Sequence, residues 1–241
     1  MPLKKWEALP PQMRTPQVRA YYDVLAGKRA ALWWKRAFDV TFSLLGLVLL
    51  SPLMLAVALA VALDSPGGVF YRQVRVTAYG KEFRIHKFRT MVARADQMGA
   101  QVTVGEDSRI TKTGRLLRGC RLDELPQLLD VLAGDMTFVG TRPEVPAYVA
   151  RYTPEMWATL LLPAGITSEA SIRYKDEAKL LAQSGNVDRD YETIILPAKM
   201  RYNLRSLRQF SPGGELATLM RTAAAVLGRE YPDTLSSGEP V

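Results

Sequence analysis

The chain has 241 residues, 48% of them hydrophobic, which is enough for a folded domain with its own core and excludes an intrinsically disordered chain. Lys and Arg outnumber Asp and Glu by 32 to 24, so the formal charge is +8 and the surface attracts anions such as phosphates, nucleic acid or acidic lipid. The single cysteine, Cys120, excludes an intramolecular disulfide framework and a zinc site built from thiolates.

The first 30 residues are polar and contain several prolines, and residues 1–35 are predicted to form a leader ahead of a long apolar segment. Trp6, Tyr21 and Tyr22 are residues of the kind that lie in the headgroup layer of a bilayer. The sequence therefore predicts an interfacial leader, with a loosely ordered segment as the alternative.

The apolar segment that follows carries one charged residue, Asp39, between positions 38 and 63. A segment of this length reaches across a bilayer core. The pair Ser51-Pro52 stands at its middle, where proline lacks an N–H and crowds the carbonyl of Val48, so the helix is predicted to kink or break there. Each half would be about 18 Å long at ~1.5 Å per residue, which is too short to cross alone.

Both flanks of the apolar segment are basic. Lys28, Arg29, Lys35 and Arg36 precede it, and Arg72, Arg75, Lys81, Arg84, Lys87 and Arg89 follow it. Because basic flanks stay in the cytoplasm, the least costly arrangement places both ends on that side, with the chain entering one leaflet and returning. The sequence thus predicts a re-entrant membrane hairpin over 36–64, in which the Ser51 hydroxyl supplies a partner at the break.

Two other interpretations of this segment stay open. A kinked transmembrane span has the required length. A cleavable signal peptide is suggested by small residues in an A-x-A pattern near 56–62, but the apolar run starts late and exceeds the ~7 to 15 residues of a signal core.

Beyond the hairpin, the pattern predicts a small sheet and then helices. Apolar and polar residues alternate on either side of Tyr79-Gly80, which is typical of two short strands. Residues 92–106 are polar and are predicted to be a helix and a loop. Leu125, Leu128, Leu129 and Leu132 follow helical spacing, and Gly134 ends that helix. The VGTRPEVP and PAGITSEAS segments are predicted to be irregular.

Two late segments, PAKMRYNLRSLRQF and ELATLMRTAAAVLG, are amphipathic, and they are predicted either to rest on the membrane surface or to pack onto the domain core. The predicted fold class is therefore α+β, mostly helical with a small β element, anchored by a re-entrant membrane helix-break-helix. Residues 65–230 form the main domain, and 231–241 are predicted to be a disordered tail.

Asp123 and Glu124 are adjacent acids ahead of LPQLL. Taken alone, two acids in a first helical turn stabilise the positive end of the helix dipole. Their surroundings favour a functional interpretation, because basic residues lie on both sides of the pair. These are Arg109, Lys112, Arg115, Arg118 and Arg121 before the acids and Arg142 after them. Guanidinium groups close to two carboxylates accommodate a diphosphate together with a divalent cation.

Other ways of holding phosphate are missing from the sequence. It contains no G-x-G-x-x-G fingerprint and no G-x-x-x-x-G-K-[ST] loop, so the usual backbone cradles for nucleotides are absent. Because His86 is the one histidine, a two-histidine metal site is excluded, and this residue is predicted to be structural.

Several motifs in fixed order resemble those of the monotopic phosphoglycosyl transferases, also called bacterial sugar transferases. They are KRAFDVTFSLLGLVLLSPL, KFRTM, DSRITKTGRLLRGCRLDELPQLLDVLAGDMTFVGTRPE, PAGIT and the basic helix near PAKMRYNLRSL. The resemblance implies a re-entrant helix broken at Ser51-Pro52 and a catalytic domain, 65–230, that faces the cytoplasm at the bacterial inner membrane.

The resemblance also implies a reaction. Asp123 would be the nucleophile that takes a phosphosugar from a UDP-sugar, releases UMP and passes the phosphosugar to polyprenyl (undecaprenyl) phosphate. Glu124 would assist proton handling, and Mg²⁺ with Asp123 as its ligand would neutralise the diphosphate. Lys87, Arg118 and Arg142 would bind phosphate oxygens. This would be the first membrane step of polysaccharide or glycoconjugate synthesis, with membrane lipid as a partner and no nucleic acid.

Two departures from the family pattern are expected to alter how the sugar or the nucleotide is bound. Thr141 in VGTRPE stands where the family usually has proline, and TSEASIRY replaces a more common Gly-containing sequence. A hypothesis from another class is a non-catalytic membrane-tethered protein whose +8 charge binds anionic lipid or nucleic acid. A homodimer also stays open.

Overall fold

The computed structural model describes residues 3–92, 95, 107–181 and 186–231, and most of these are helical. The helices are α1 (Pro16–Ala26), α2 (Arg29–Asp64), α3 (Lys112–Gly119), α4 (Gln127–Ala133), α5 (Pro146–Val149), α6 (Glu169–Arg173), α7 (Glu177–Leu181), α8 (Val187–Asp190), α9 (Leu196–Arg208) and α10 (Pro212–Val226). The strands are β1 (Phe70–Val76), β2 (Glu82–Phe88), β3 (Met136–Val139) and β4 (Ala164–Thr167). The predicted α+β class is confirmed. Most of the predicted 92–106 helix and loop, and the predicted tail beyond Tyr231, lie outside the described residues.

The described residues contain two sheets of two strands each. β1 and β2 are antiparallel, with Phe70 opposite Phe88, and they turn through Tyr79 and Gly80. This is the predicted strand pair. β3 and β4 pair in parallel. The VGTRPEVP and PAGITSEAS segments were predicted to be irregular, but the first begins with the last residue of β3 and the second contains all of β4. Strands of four residues give too little alternation to be recognised from sequence.

The N-terminal leader packs into the core of the domain. Met13, Tyr21 and Leu25 are fully buried, in one hydrophobic cluster with residues of α9. The hydroxyl of Tyr21 donates to Glu155 at 2.6 Å. The prediction that Tyr21 and Tyr22 lie in the headgroup layer is therefore wrong, because both rings are buried inside the protein. Their positions on α1 are those of its apolar face, which packs inward.

α2 is one helix from Arg29 to Asp64, and Pro52 lies inside it. The hydroxyl of Ser51 donates to the carbonyl of Val48 at 2.8 Å. This is the carbonyl that loses its usual N–H partner to the proline. The sequence predicted a kink or a break at this position. The structure contradicts the break, because α2 continues through Pro52 with a side-chain donor in place of the missing backbone donor.

One face of α2 packs against the domain, and the rest of the helix is exposed. The buried residues form two groups with intervals of three or four positions, and the groups are separated by fourteen positions, about four helical turns, so all lie on one helical face. They are Leu32, Lys35, Asp39, Ser43, Val57 and Val61. The other faces carry exposed leucines such as Leu49, Leu55 and Leu63. Among the described helices, α2 is the one long and apolar enough to cross a membrane by length and composition.

Basic residues at the N-terminal end of α2 are bound inside the domain. The ammonium group of Lys35 donates to the carbonyl of Val139 at 2.8 Å and to Glu215 at 2.7 Å. The guanidinium group of Arg36 donates to the carbonyls of Val131 and Leu132 at 2.7 and 2.8 Å, near the C-terminal end of α4. Cations at this end of a helix stabilise its last carbonyls. These two residues therefore attach α2 to the domain.

Basic and acidic residues attach the C-terminal end of α2 as well. Arg89 donates to the carbonyls of Ser65 and Pro66 at 2.6 and 2.7 Å. The carboxylate of Asp64 accepts from the N–H of Thr113 at 3.0 Å. Both ends of the apolar helix therefore contact the same folded domain.

The two late amphipathic segments have different environments. α9 buries most of its apolar residues, including Met200 and Leu204, in the main core. α10 leaves Leu216, Met220 and Leu227, which follows its last turn, more than half exposed. Core packing is therefore the outcome for α9, while α10 presents an apolar face to its surroundings.

Asp39, the one charge of the apolar segment, attaches α2 to β3. Its buried carboxylate accepts from the hydroxyl of Thr137 at 2.7 Å and from the N–H of Phe138 at 3.1 Å. Asp39→Leu leaves both donors buried without this partner, so we expect a loss of about 2–4 kcal/mol of unfolding free energy. The apparent Tm in detergent should fall by roughly 5–15 °C. Asp39→Asn retains one acceptor and should lose less than half as much unfolding free energy. Equal stability of the wild type and both variants would contradict the role of Asp39 in attaching α2 to β3.

Candidate active site

The two adjacent acids lie in a short 3₁₀ turn, Leu122–Glu124, that precedes α4. Arg121, directly before the turn, has φ 57°, a left-handed conformation that costs energy for a residue with a Cβ. Backbone strain of this kind concentrates at functional sites. The acids are therefore placed by a turn of their own and not, as the pattern of leucines suggested, by the first turn of α4.

The turn rests on the apolar side of α2. Leu122 and Leu125 pack against a cluster that includes Val57 and Val61 from α2. Phe88 from β2 and Leu117 from α3 complete the cluster. The candidate site is thus built directly on the helix that is apolar enough for a membrane.

Glu124 is held between two cations. The ammonium group of Lys87 lies 2.8 Å from its Oε1, and Nη2 of Arg142 lies 2.5 Å from the same atom. Burial by itself raises the pKa of Glu124, but the charges and hydrogen bonds of Arg142 and Lys87 outweigh it and hold the pKa well below its usual range. Glu124 is therefore a fully paired carboxylate at neutral pH.

The surroundings of Asp123 differ from those of Glu124. It is 9% exposed, and its Oδ1 is buried without a hydrogen-bond partner. Burial raises its pKa above the usual value, the positive charge of Lys87 opposes this, and the charge of Glu124 raises it further. Arg118 and Arg121 act in the same direction as Lys87. Asp123 is thus a carboxylate that is surrounded by positive charge and still has a free oxygen.

The other predicted residues are distributed unevenly around the acids. Lys87 and Arg142 both contact Glu124, whereas Arg118, half-buried near the end of α3, acts on Asp123 through its charge. Ser51 and Pro52 lie on the exposed side of α2, away from these contacts. Arg109, which the sequence grouped with the site, pairs instead with Asp107 at 2.6 Å.

A network that the sequence did not suggest holds the segment carrying Arg142. Nη1 of Arg75 donates to the carbonyl of Pro143 at 3.1 Å. The side chain of Glu144, which is buried, accepts from the hydroxyl of Tyr191 at 2.6 Å. Tyr191 begins a π-helical turn, an element that is frequent at functional sites. The buried ammonium of Lys199 links this network to Glu177 at 2.9 Å.

The donor set for a metal is small. The described residues hold no group of three or more His, Cys, Asp or Glu side chains that could bind a metal ion by themselves. Because Glu124 is paired with two cations, Asp123 is the carboxylate of the pair that is free to bind one. Mg²⁺ is commonly bound by one or two carboxylates with substrate phosphates and water, so this site fits Mg²⁺ only together with a phosphorylated substrate.

His86 and Cys120 lie beside the site. Nδ1 of His86 lies 2.6 Å from Asp130, and its backbone N–H donates to the same carboxylate at 2.9 Å, which joins β2 to α4. This contact agrees with a structural role. Cys120 is exposed.

The two departures from the family pattern have structural contacts. The carbonyl of Thr141 accepts from the N–H of Gly165 at 2.8 Å, which continues the contact between β3 and β4. In TSEASIRY, Glu169 accepts from Arg221 at 2.9 Å and from Thr218 at 3.0 Å. The second departure therefore fixes α10 to the start of α6, the short helix after β4.

Comparison with known proteins adds independent information. The profile of the bacterial sugar transferase family matches residues 30–229. A UDP-N-acetylgalactosamine-undecaprenyl-phosphate N-acetylgalactosaminephosphotransferase of Aeromonas hydrophila is 43% identical over 122 residues, which are 51% of this chain and 29% of that protein.

Two further relatives are UDP-glucose:undecaprenyl-phosphate glucose-1-phosphate transferases. The protein of Caulobacter vibrioides is 40% identical over 181 residues, 72% of this chain and 68% of that protein. The protein of Escherichia coli is 41% identical over 161 residues, 65% of this chain and 34% of that protein. The match with the family extends from the start of α2 to the end of α10, and the chain belongs to the bacterial sugar transferase family.

Proposed function

We propose that the protein transfers a sugar phosphate from a UDP-sugar to undecaprenyl phosphate, with Asp123 as a covalent nucleophile. The observation that carries the proposal is the contrast between two neighbouring acids. Glu124 is bound by Lys87 and Arg142, whereas Asp123 has a free oxygen among positive charges. A carboxylate of the second kind can attack phosphorus while the cations stabilise the phosphate charge.

In the first step, an oxygen of Asp123 attacks the sugar-linked phosphorus of the donor. The bond from that phosphorus to the bridging oxygen breaks, UMP leaves with the electron pair, and a phosphosugar remains on the enzyme as an acyl phosphate. In the second step, an oxygen of the lipid phosphate attacks the same phosphorus. The bond to Asp123 then breaks, so the carboxylate is restored and a polyprenyl diphosphosugar is formed.

Glu124 contributes to this reaction by holding two cations in place. Its low pKa makes it a weak proton acceptor at neutral pH. The acceptor needs little help from a base, because a phosphate monoester has a second pKa of about 6 and is largely ionised. We therefore assign Glu124 to positioning Lys87 and Arg142, in place of the proton-handling role that the resemblance implied.

The substrates follow from the relatives and from the charge of the site. The Caulobacter vibrioides and Escherichia coli relatives are named for UDP-glucose and undecaprenyl phosphate. Arg118 and Lys87 would bind oxygens of the diphosphate, and Asp123 would bind Mg²⁺ together with other oxygens of the same diphosphate. When bound, Mg²⁺ supplies charge neutralisation for the diphosphate.

We propose that the protein is monotopic in the bacterial inner membrane and faces the cytoplasm. Both ends of α2 contact one domain, through Lys35 and Arg36 at one end and Arg89 at the other. A straight 36-residue helix would be about 54 Å long at ~1.5 Å per residue, far more than the ~30 Å hydrocarbon core. A plain span would separate two ends that are bound to the same domain.

The nucleophile can be tested with Asp123→Asn. We expect the variant to release less than about one thousandth of the UMP that the wild type releases from UDP-glucose or UDP-N-acetylgalactosamine with undecaprenyl phosphate and Mg²⁺, because the amide is a poor nucleophile. Intact-protein mass spectrometry without acceptor should show a phosphohexose adduct on the wild type alone, and EDTA should suppress it. Wild-type protein that releases no UMP from any donor would support the alternative of a non-catalytic basic protein.

The pairing of Glu124 can be tested by stability. Arg142→Met removes one of its two cations, so we expect a loss of about 1–3 kcal/mol at pH 7, or roughly 3–10 °C in Tm. Since the pKa of Glu124 is depressed in the folded protein, this stabilisation is present above the usual pKa and is lost as the pH falls through the folded value. The Tm gap to wild type should therefore narrow below about pH 4.5.

Lys81→Met is a matched control for Arg142→Met, because it breaks an exposed pair with Asp135. It should change the unfolding free energy by at most ~0.5 kcal/mol at any pH. If Arg142→Met lowers the Tm at pH 7 by no more than the control does, the proposed stabilising pairing of Arg142 with Glu124 is excluded.

The topology can be tested with single cysteines at the exposed positions Ala30 and Glu82 in a Cys120→Ser variant. A membrane-impermeant maleimide should label neither position in intact cells and both after permeabilisation, because both ends of α2 would face the cytoplasm. Labelling of either position from outside would overturn the monotopic arrangement.

A further inference from the structure

Gln127, the first residue of α4, carries a buried side-chain amide with no partner in the protein. The residue is 1% exposed, and both its Nε2 and its Oε1 lack a hydrogen-bond partner. A buried amide normally forms hydrogen bonds, because leaving water without replacing them costs free energy. A leucine of similar size would avoid this cost, so the retained amide indicates a partner from outside the chain.

The position of Gln127 relative to the acids is set by the backbone. Leu125 and Pro126, which join the 3₁₀ turn to α4, both have right-handed helical φ and ψ. The N–H groups of Leu125 and Leu128 bond to carbonyls three residues earlier, and residues three apart on such a path lie on one face. Gln127 therefore follows Glu124 on the same face, beside the neighbouring Asp123, whose Oδ1 also lacks a partner.

Contacts between α4 and β2 place Gln127 more closely. Asp130, three residues later, binds His86, and Glu124, three residues earlier, binds Lys87. Gln127 lies in sequence between these two contacts and shares with Asp130 the buried side of α4. The buried side of α4 that carries Gln127 and Asp130 thus faces β2, the strand that carries Lys87.

We infer that Gln127 is a further catalytic residue, whose amide N–H donates to a phosphoryl oxygen of the donor while Asp123 attacks. This inference rests on the proposed transfer of a phosphosugar. A neutral donor suits this position, because it stabilises charge on the phosphoryl group without neutralising the carboxylate that must attack. Lys87 and Arg142, by contrast, carry a full positive charge and are shared with Glu124.

The experiment is a rapid-quench measurement on full-length protein in detergent with saturating UDP-sugar and Mg²⁺ and no acceptor. We expect Gln127→Leu to form the phosphohexose adduct and release UMP about 100- to 1000-fold more slowly than wild type, which is the usual effect of removing one transition-state donor. The KM for the donor should change less than threefold, because the bond strengthens as the reaction proceeds. The Tm should equal or exceed that of wild type, because an unpaired buried amide is removed.

Gln209→Leu is the matched control, since it makes the same change at an exposed position after α9 and should leave the burst rate unchanged. If Gln127→Leu folds poorly, Gln127→Met retains the length of the side chain without its amide and should show the same slow burst. A variant with wild-type Tm and a wild-type burst rate would show that the amide binds only buried water, which overturns the inference. Wild-type protein that forms no adduct would instead refute the proposed function, so the two failures are distinct.

Discussion

The ion pairs of Glu124 with Lys87 and Arg142 are the interaction on which the site depends, because they join three separate parts of the chain. Lys87 comes from β2, Glu124 from the 3₁₀ turn, and Arg142 from the segment after β3. Removing water from three charges is costly unless they satisfy one another, so the pairing fixes all three parts together. Arg75 and Glu144 extend this restraint to the backbone around Arg142.

The apolar helix α2 and the candidate site are parts of one structure. Val57 and Val61 of α2 pack under Leu122, so the position of the acids depends on where the helix lies. Under the proposed function, this arrangement holds the nucleophile at the depth where the phosphate of a lipid acceptor resides. The apolar helix then serves as the support of the active site as well as its anchor.

The sequence was most informative where the interaction is local or where the motifs resemble the family. The strand pair around Tyr79 and the two acids were found in this way. It was least informative for contacts between distant residues: Lys35 and Arg36 were taken as topological signals, but they bind carbonyls 104 and 95 residues away. Similarly, nothing in the local pattern shows that Tyr21 reaches Glu155, 134 residues later.

Adjacency in sequence explains little about the two acids, which differ because their surroundings differ. Two cations lower the pKa of Glu124, while burial raises that of Asp123, whose Oδ1 has no partner. The charge of Glu124 itself contributes to this difference, since it raises the pKa of its neighbour. By binding Lys87 and Arg142, Glu124 leaves the Oδ1 of Asp123 without a salt bridge. Under the proposed function the two acids work as a unit, because a salt bridge would make Asp123 a poorer nucleophile and the paired acid prevents it.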